Sequence, residues 1–235
     1  MTQQNKLIRS FGRIKCRQLS NAKQELIDNI LPNYEIKITQ NHKINPKDLF
    51  GKNIKKYCLE IGFGYGDFLS QKIHDQDHGF IACETHINGI AAFLNKIDRQ
   101  ELHQNLKIYS SDVRILLENL KDDSLDQIFI LFPDPWPKAR HHKRRLINHD
   151  FLNILSKKLK NNSQLLIVSD HYDYQSWIIK HLHQHPNFSW LAKNSDDFKS
   201  PPDCWPGDNF QTKYQKKALI KNHQIFYFLF QNEKN

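Results

Sequence analysis

An α/β fold, built on a mostly parallel seven-stranded sheet with helices on both faces and a C-terminal antiparallel hairpin, is predicted by three features of the sequence. From Lys55 onward, short apolar runs alternate with segments of helical period, which is how consecutive βαβ units read. The 235 residues suit one large domain better than two. Hydrophobic residues make up 39% and charged residues 25%, enough apolar surface to bury a sheet between helical layers. Residues 1–35 read as a basic N-terminal arm and residues 36–235 as the single domain.

Five parallel strands follow in order: KYCLEIG from Lys56, GFIACE from Gly79, LKIYSS from Leu106, DQIFILF from Asp126 and QLLIVSD from Gln164. Each is short, rich in β-branched or aromatic residues and flanked by Gly, Asp or Pro. Between them, Ile90, Leu94 and Ile97 share one helical face, as do Phe151, Leu155 and Leu159 with Leu152 beside them, so these stretches are crossover helices that cover the sheet. The last crossover ends near Pro186. A loop with Pro201, Pro202 and Pro206 then leads to QTKYQKKAL and IFYFLFQ, which read as a closing hairpin around Lys221 to Gln224.

The net charge is +9, an excess that concentrates polyanions near the surface and makes nucleic acid the first partner to consider. Six cations (Lys6, Arg9, Arg13, Lys15, Arg17 and Lys23) precede the first acid, Glu25, a pattern shared by RNA-contacting arms, disordered tails and transit peptides. The four cysteines (Cys16, Cys58, Cys83, Cys204) form no CxxC pair, which argues against a zinc knuckle and fits a reducing cytoplasm. His181, His183 and His185 alternate along a helix and diverge from one another, so no metal site is expected. No apolar run is long enough to span a bilayer. The sequence sets no choice between monomer and homodimer.

Ligands of open α/β sheets bind at the carboxyl ends of the strands. Here those ends are acidic. The first closes in LEIGFGYG, which supplies Glu60 and the glycines Gly62, Gly64 and Gly66, where missing β-carbons allow positive φ and close approach of a ligand. A nicotinamide fingerprint would place its third glycine where Asp67 stands. Glu84 ends the second strand, positioned to accept ribose hydroxyls, and Asp112 follows the third, where a purine edge would lie. Together they describe an adenosine site whose carboxylates favour a cationic sulfonium and would repel a pyrophosphate.

After the fourth strand comes FPDPWPKARHHKRR. Asp134 stands between two prolines that restrict its backbone, and Trp136 offers a stacking face. Lys138, Arg140, His141, His142, Lys143, Arg144 and Arg145 then form a cationic ribbon able to neutralise several phosphates.

The motifs LEIGFGYG, CETH, SDV, FPDPWPKARHHKRR, VSD and TKYQ resemble those of the tRNA (guanine-N7-)-methyltransferases, and the likeness runs from SFGRIKCR at Ser10 to the last strand. The resemblance implies a class I, Rossmann-like methyltransferase acting in the cytoplasm, with S-adenosyl-L-methionine as cofactor and guanine 46 of the tRNA variable loop as target. It implies that Glu60, Glu84, Asp112 and Asp134 contact the cofactor, and that Asp134 is the catalytic acidic residue beside the methyl group. It further implies that Lys138, Asp170, Thr212, Lys213, Tyr214 and Gln215 serve the substrate pocket, while Arg140 to Arg145 grip the tRNA backbone. Two departures stand out: Gln215 replaces the family's glutamate, and the arginine and proline usual before the threonine are absent from Asp208 to Gln211. They leave a second reading open, a catalytically weak or silent tRNA-binding protein on the same fold.

Overall fold

Side chains alternate across every central strand, so each strand feeds two cores. In the computed structural model, which describes residues 18–39, 42–97, 102–207 and 209–234, Leu59, Ile61, Ile81, Ile128, Ile130, Leu165 and Ile167 face one core. Cys58, Phe80, Ala82, Phe129, Leu166 and Val168 face the other. The strands are β1 (Lys56–Ile61), β2 (His78–Cys83), β3 (Leu106–Tyr109), β4 (Leu125–Leu131), β5 (Leu159–Ser169), β6 (Phe188–Trp190) and β7 (Phe226–Asn232). Their order in the sheet is β3-β2-β1-β4-β5-β7-β6. The first five are parallel, and β7 runs antiparallel between β5 and β6.

Helices α1 (Asn21–Asn29), α2 (Pro46–Leu49), α3 (Leu69–Lys72), α4 (Ile87–Lys96), α5 (Val113–Asn119), α6 (His149–Lys158), α7 (Tyr172–His183) and α8 (Lys213–Ile220) complete the fold. Buried residues of α5, α6 and α7 fill the first core, and those of α1, α3, α4 and α8 fill the second. The expected two-sided α/β architecture is therefore present.

The closing hairpin needs correction. QTKYQKKAL is not a strand, because Thr212 and Gln215 form a reciprocal capping box that starts α8. IFYFLFQ does form β7, and its antiparallel neighbours are β5 and the short β6. From Asn21 onward the N-terminal segment packs on the sheet domain: α1 packs against α4, Leu26, Leu31 and Tyr34 are buried, and Ile36 N–H donates to the Ile108 carbonyl at 2.8 Å. Lys6, Arg9, Arg13, Lys15, Arg17 and Cys16 lie outside the described residues.

His181 and His183 sit on α7, and His185 is buried with Nε2 3.0 Å from Asn153 Oδ1. Among the described residues, no cluster of three His, Cys, Asp or Glu is placed to hold a metal, and no helix is long and apolar enough to cross a membrane.

Candidate active site

Strand order reverses where β1 lies between β2 and β4, and a crevice opens beyond their carboxyl ends at that point. It is a cleft of about 600 Å³ that gathers Gly62, Gly64, Glu84, Asp112, Asp134, Lys143 and Arg144, together with Lys213 and Tyr214.

The glycine turn is shaped by its backbone. Gly62, Gly64 and Gly66 have φ of +74°, +56° and +66°. At Gly66 a β-carbon would also lie 2.2 Å from the Phe93 ring, so this glycine serves helix packing while the other two face the cleft. Glu84 fastens the turn. Its carboxylate accepts from Gly64 N–H at 2.8 Å, Thr85 N–H at 2.7 Å and His86 N–H at 2.8 Å.

Asp112 caps α5 by accepting from Arg114 N–H at 2.9 Å, and it pairs with the Arg114 guanidinium at 2.6 Å. Glu60 lies beneath the cleft on the face of β1 shared with Cys58, only 3% exposed, and its Oε2 has no hydrogen-bond partner. Burial first, and then repulsion from Glu84 and Asp67, pushes its pKa up to about 8. A buried, orphaned carboxyl on β1 next to a glycine-walled cleft that carries Glu84 and Asp112 fits a cationic adenosyl ligand, because a positive charge offsets the repulsion among these carboxyls.

The Asp134 turn is strained. Phe132 and Trp136, bulky residues that rarely adopt positive φ, have φ of 52° and 43° on either side of it. Each such residue costs about 1–3 kcal/mol and persists only where its surroundings hold it. Here Phe132 N–H donates to the Val168 carbonyl at 2.8 Å and its ring stacks on Tyr214, while the Arg144 guanidinium lies over Trp136. Arg145 Nε donates to the Pro135 carbonyl at 2.8 Å, so the turn is pinned from four sides.

That pinning overturns the expected place of Arg145 on the ribbon. The residue is 2% exposed, ion-paired to Asp173 and lodged between the rings of Tyr174 and Trp177, so it cannot reach a phosphate. Arg145 in turn holds Asp173 below the usual carboxylate range. The rest of the ribbon winds into a 3-10 helix, Ala139–Arg144, in which Arg140 and Lys143 are exposed and exposed Lys138 precedes them. Desolvation, and then the cations around it, lower the pKa of His141.

Other expected residues separate into two groups. Lys213 and Tyr214 line the cleft, but Thr212 and Gln215, which flank them, are buried in the capping box. Gln215 Oε1 accepts from Thr212 N–H at 2.7 Å, and its Nε2 donates to the Tyr227 hydroxyl at 2.8 Å. Asp170 stands outside the cleft lining, 3.3 Å from His223 Nδ1. Lys138, Arg140, His141 and His142 also fall outside the lining. Sequence reasoning missed Tyr65, His86, Arg114 and Lys217, which do line it. For Lys217 the signal was its i+4 spacing from Lys213, visible once the segment is read as a helix.

The model of a family described as "Putative methyltransferase" matches residues 54–228, spanning the glycine turn, the Asp134 turn and α8. A tRNA (guanine-N(7)-)-methyltransferase of Zymomonas mobilis is 38% identical over 221 residues, covering 94% of this chain and 92% of the relative. The chain belongs to this methyltransferase family. A tRNA (guanine-N(7)-)-methyltransferase of Bartonella henselae is 37% identical over 94% of each chain. The methyltransferase also shares its fold with the crystal structure of the antibiotic-resistance methyltransferase Kmr, with a TM-score of 0.51 at 12% identity over 78% of this chain and 90% of that one. S-adenosyl-L-methionine is the cofactor of this class, and the strand-end carboxylates Glu84 and Asp112 in the cleft of the methyltransferase suit it.

Proposed function

We propose that this methyltransferase transfers the methyl group of S-adenosyl-L-methionine to N7 of guanine 46 in the variable loop of tRNA. The observation that carries the reading is the strained, four-sided hold on Asp134 in a cleft that brings it together with Glu84, Asp112, Lys143 and Arg144. The names of the relatives support the substrate class.

When bound, the cofactor supplies a sulfonium-activated methyl electrophile. Glu84 and Asp112 would hold its adenosine, and the backbone of Gly62 and Gly64 would let it approach. Guanine N7 carries an in-plane lone pair and needs no deprotonation, so the protein supplies no strong base. Positioning dominates, and such orientation is worth about 7–11 kcal/mol of barrier. Asp134 stabilises positive charge as it develops on the purine. Trp136 and Tyr214 offer faces for the base, and Lys138, Arg140, Lys143 and Arg144 meet the phosphates.

The silent-binder reading loses its main support. Glutamine serves a capping box as glutamate does, and Gln215 is occupied there and at Tyr227, away from the cleft.

The test incubates unmodified tRNA with labelled S-adenosyl-L-methionine and locates the product by nuclease mapping. Label at N7 of guanine 46 is expected, and label elsewhere or none defeats the proposal. Asp134→Asn should lower kcat by about 10²-fold with little change in cofactor affinity. A wild-type rate in that variant would remove Asp134 from the mechanism.

A further inference from the structure

The ribbon after β4 is not the only cationic wall of the cleft. Helix α8 has the composition KYQKKALI, without an acid, and is followed by Lys221. Its inner face, Gln215 and Ala218, is buried against the domain. Lys213, Lys217 and Lys221 recur every four residues and so form one stripe along the helix. The first two line the cleft, Lys213 with its Nζ 4.3 Å from the Tyr65 ring and Lys217 with its Nζ 5.6 Å from the Tyr214 ring. All three are exposed, and among the described residues none is ion-paired with a carboxylate.

Like charges four residues apart destabilise a helix by about 0.2–0.5 kcal/mol per pair, and a lysine in the first turn opposes the helix dipole. The fold nevertheless fixes this helix firmly. Asp67, in the glycine turn, accepts from Lys213 N–H at 2.8 Å, and the capping box ties the same end to Tyr227 of β7. The ribbon is held separately, through Arg145 and Asp173 of α7. Two cationic walls thus border one cleft, and a stripe whose Lys217 and Lys221 have no ion pair among the described residues suits a polyanion.

We propose that α8 is a second phosphate-binding wall, whose stripe Lys213, Lys217 and Lys221 takes backbone phosphates of the bound tRNA in addition to those taken by Lys143 and Arg144. The inference rests on tRNA being the substrate. It assigns the RNA a path along two walls of the cleft, so that the strand carrying the acceptor base is held on more than one side of that base.

Salt dependence of tRNA binding tests it with the full chain and unmodified tRNA. Lys217→Gln/Lys221→Gln is compared with Lys143→Gln/Arg144→Gln, with all four changes together, and with Lys217→Arg/Lys221→Arg. Each lost phosphate contact lowers the slope of log K against log salt by about 0.7–0.9. The α8 pair should therefore lose about 1.4–1.8 of slope, and the fourfold variant about twice that. The arginine pair should keep the parent slope, which a role in helix stability alone would not predict for the glutamine pair. An unchanged slope in Lys217→Gln/Lys221→Gln, with a reduced one in the ribbon pair, overturns the second wall and leaves the tRNA reading intact. A parent chain with no salt-dependent tRNA binding overturns both.

Discussion

Glu60 is a buried acid whose cost is visible in one atom, the unpartnered Oε2, and in a pKa raised to about 8. Because the folded-state value lies above the ordinary 4.5, the native state binds the proton more tightly than the unfolded chain. Stability from this group is full below about 4.5 and declines as pH rises towards 8. Glu60→Gln should flatten that decline and raise the unfolding midpoint at pH 8.5, measured by denaturant titration without cofactor; equal pH profiles for the two proteins would refute it. Arg145 teaches a related lesson. Its sequence context is a run of cations, yet the neighbours that decide its fate, Asp173, Tyr174 and Trp177, lie on a helix nearly thirty residues away. Nothing local distinguished it from Arg144. The carboxylates Glu84, Asp112 and Asp134 were legible because strand ends can be read from periodicity, and strand ends are where the cleft opens.

At the scale of elements, the parallel strands were readable because both faces of each are apolar, and the crossover helices because their apolar stripes repeat with helical period. Helix α8 was misread for lack of such a stripe: its buried residues are Gln215 and Ala218, neither of them strongly hydrophobic. The Thr212-x-x-Gln215 signature was present and carried the correct assignment. Helix α4 shows how an element tunes the site without touching it chemically. A β-carbon on Gly89 would meet the Gly64 carbonyl oxygen at 2.5 Å. Alanine normally favours a helix by about 0.8–1 kcal/mol over glycine. Gly89→Ala should instead displace the glycine turn and weaken S-adenosyl-L-methionine binding at least tenfold by calorimetry, and unchanged affinity would show that the turn does not need this close approach.

Considered as a whole, the molecule joins its cleft to the sheet at four strand ends and at α8, so ligand binding and global stability are one equilibrium. S-adenosyl-L-methionine at a hundred times its Kd should add about 2.7 kcal/mol to unfolding. Circular dichroism and tryptophan fluorescence should shift together, because Trp190 and Trp205 sit away from the cleft while Trp136 lines it. A shift confined to fluorescence would mean that the cleft unfolds by itself. The interposed strand β7 sets an order on assembly as well. It enters the sheet between β5 and a β6 translated long before it, and through Tyr227 it braces the helix just upstream. A chain that ended at the proline-rich loop would lack the Tyr214 ring against Phe132 and the Lys213 N–H on Asp67, so the Asp134 turn and the glycine turn would each lose a hold. By bracing Gln215 through Tyr227, the final strand completes the support of both turns at once, and shortening the chain ahead of Phe226 is expected to abolish methyl transfer.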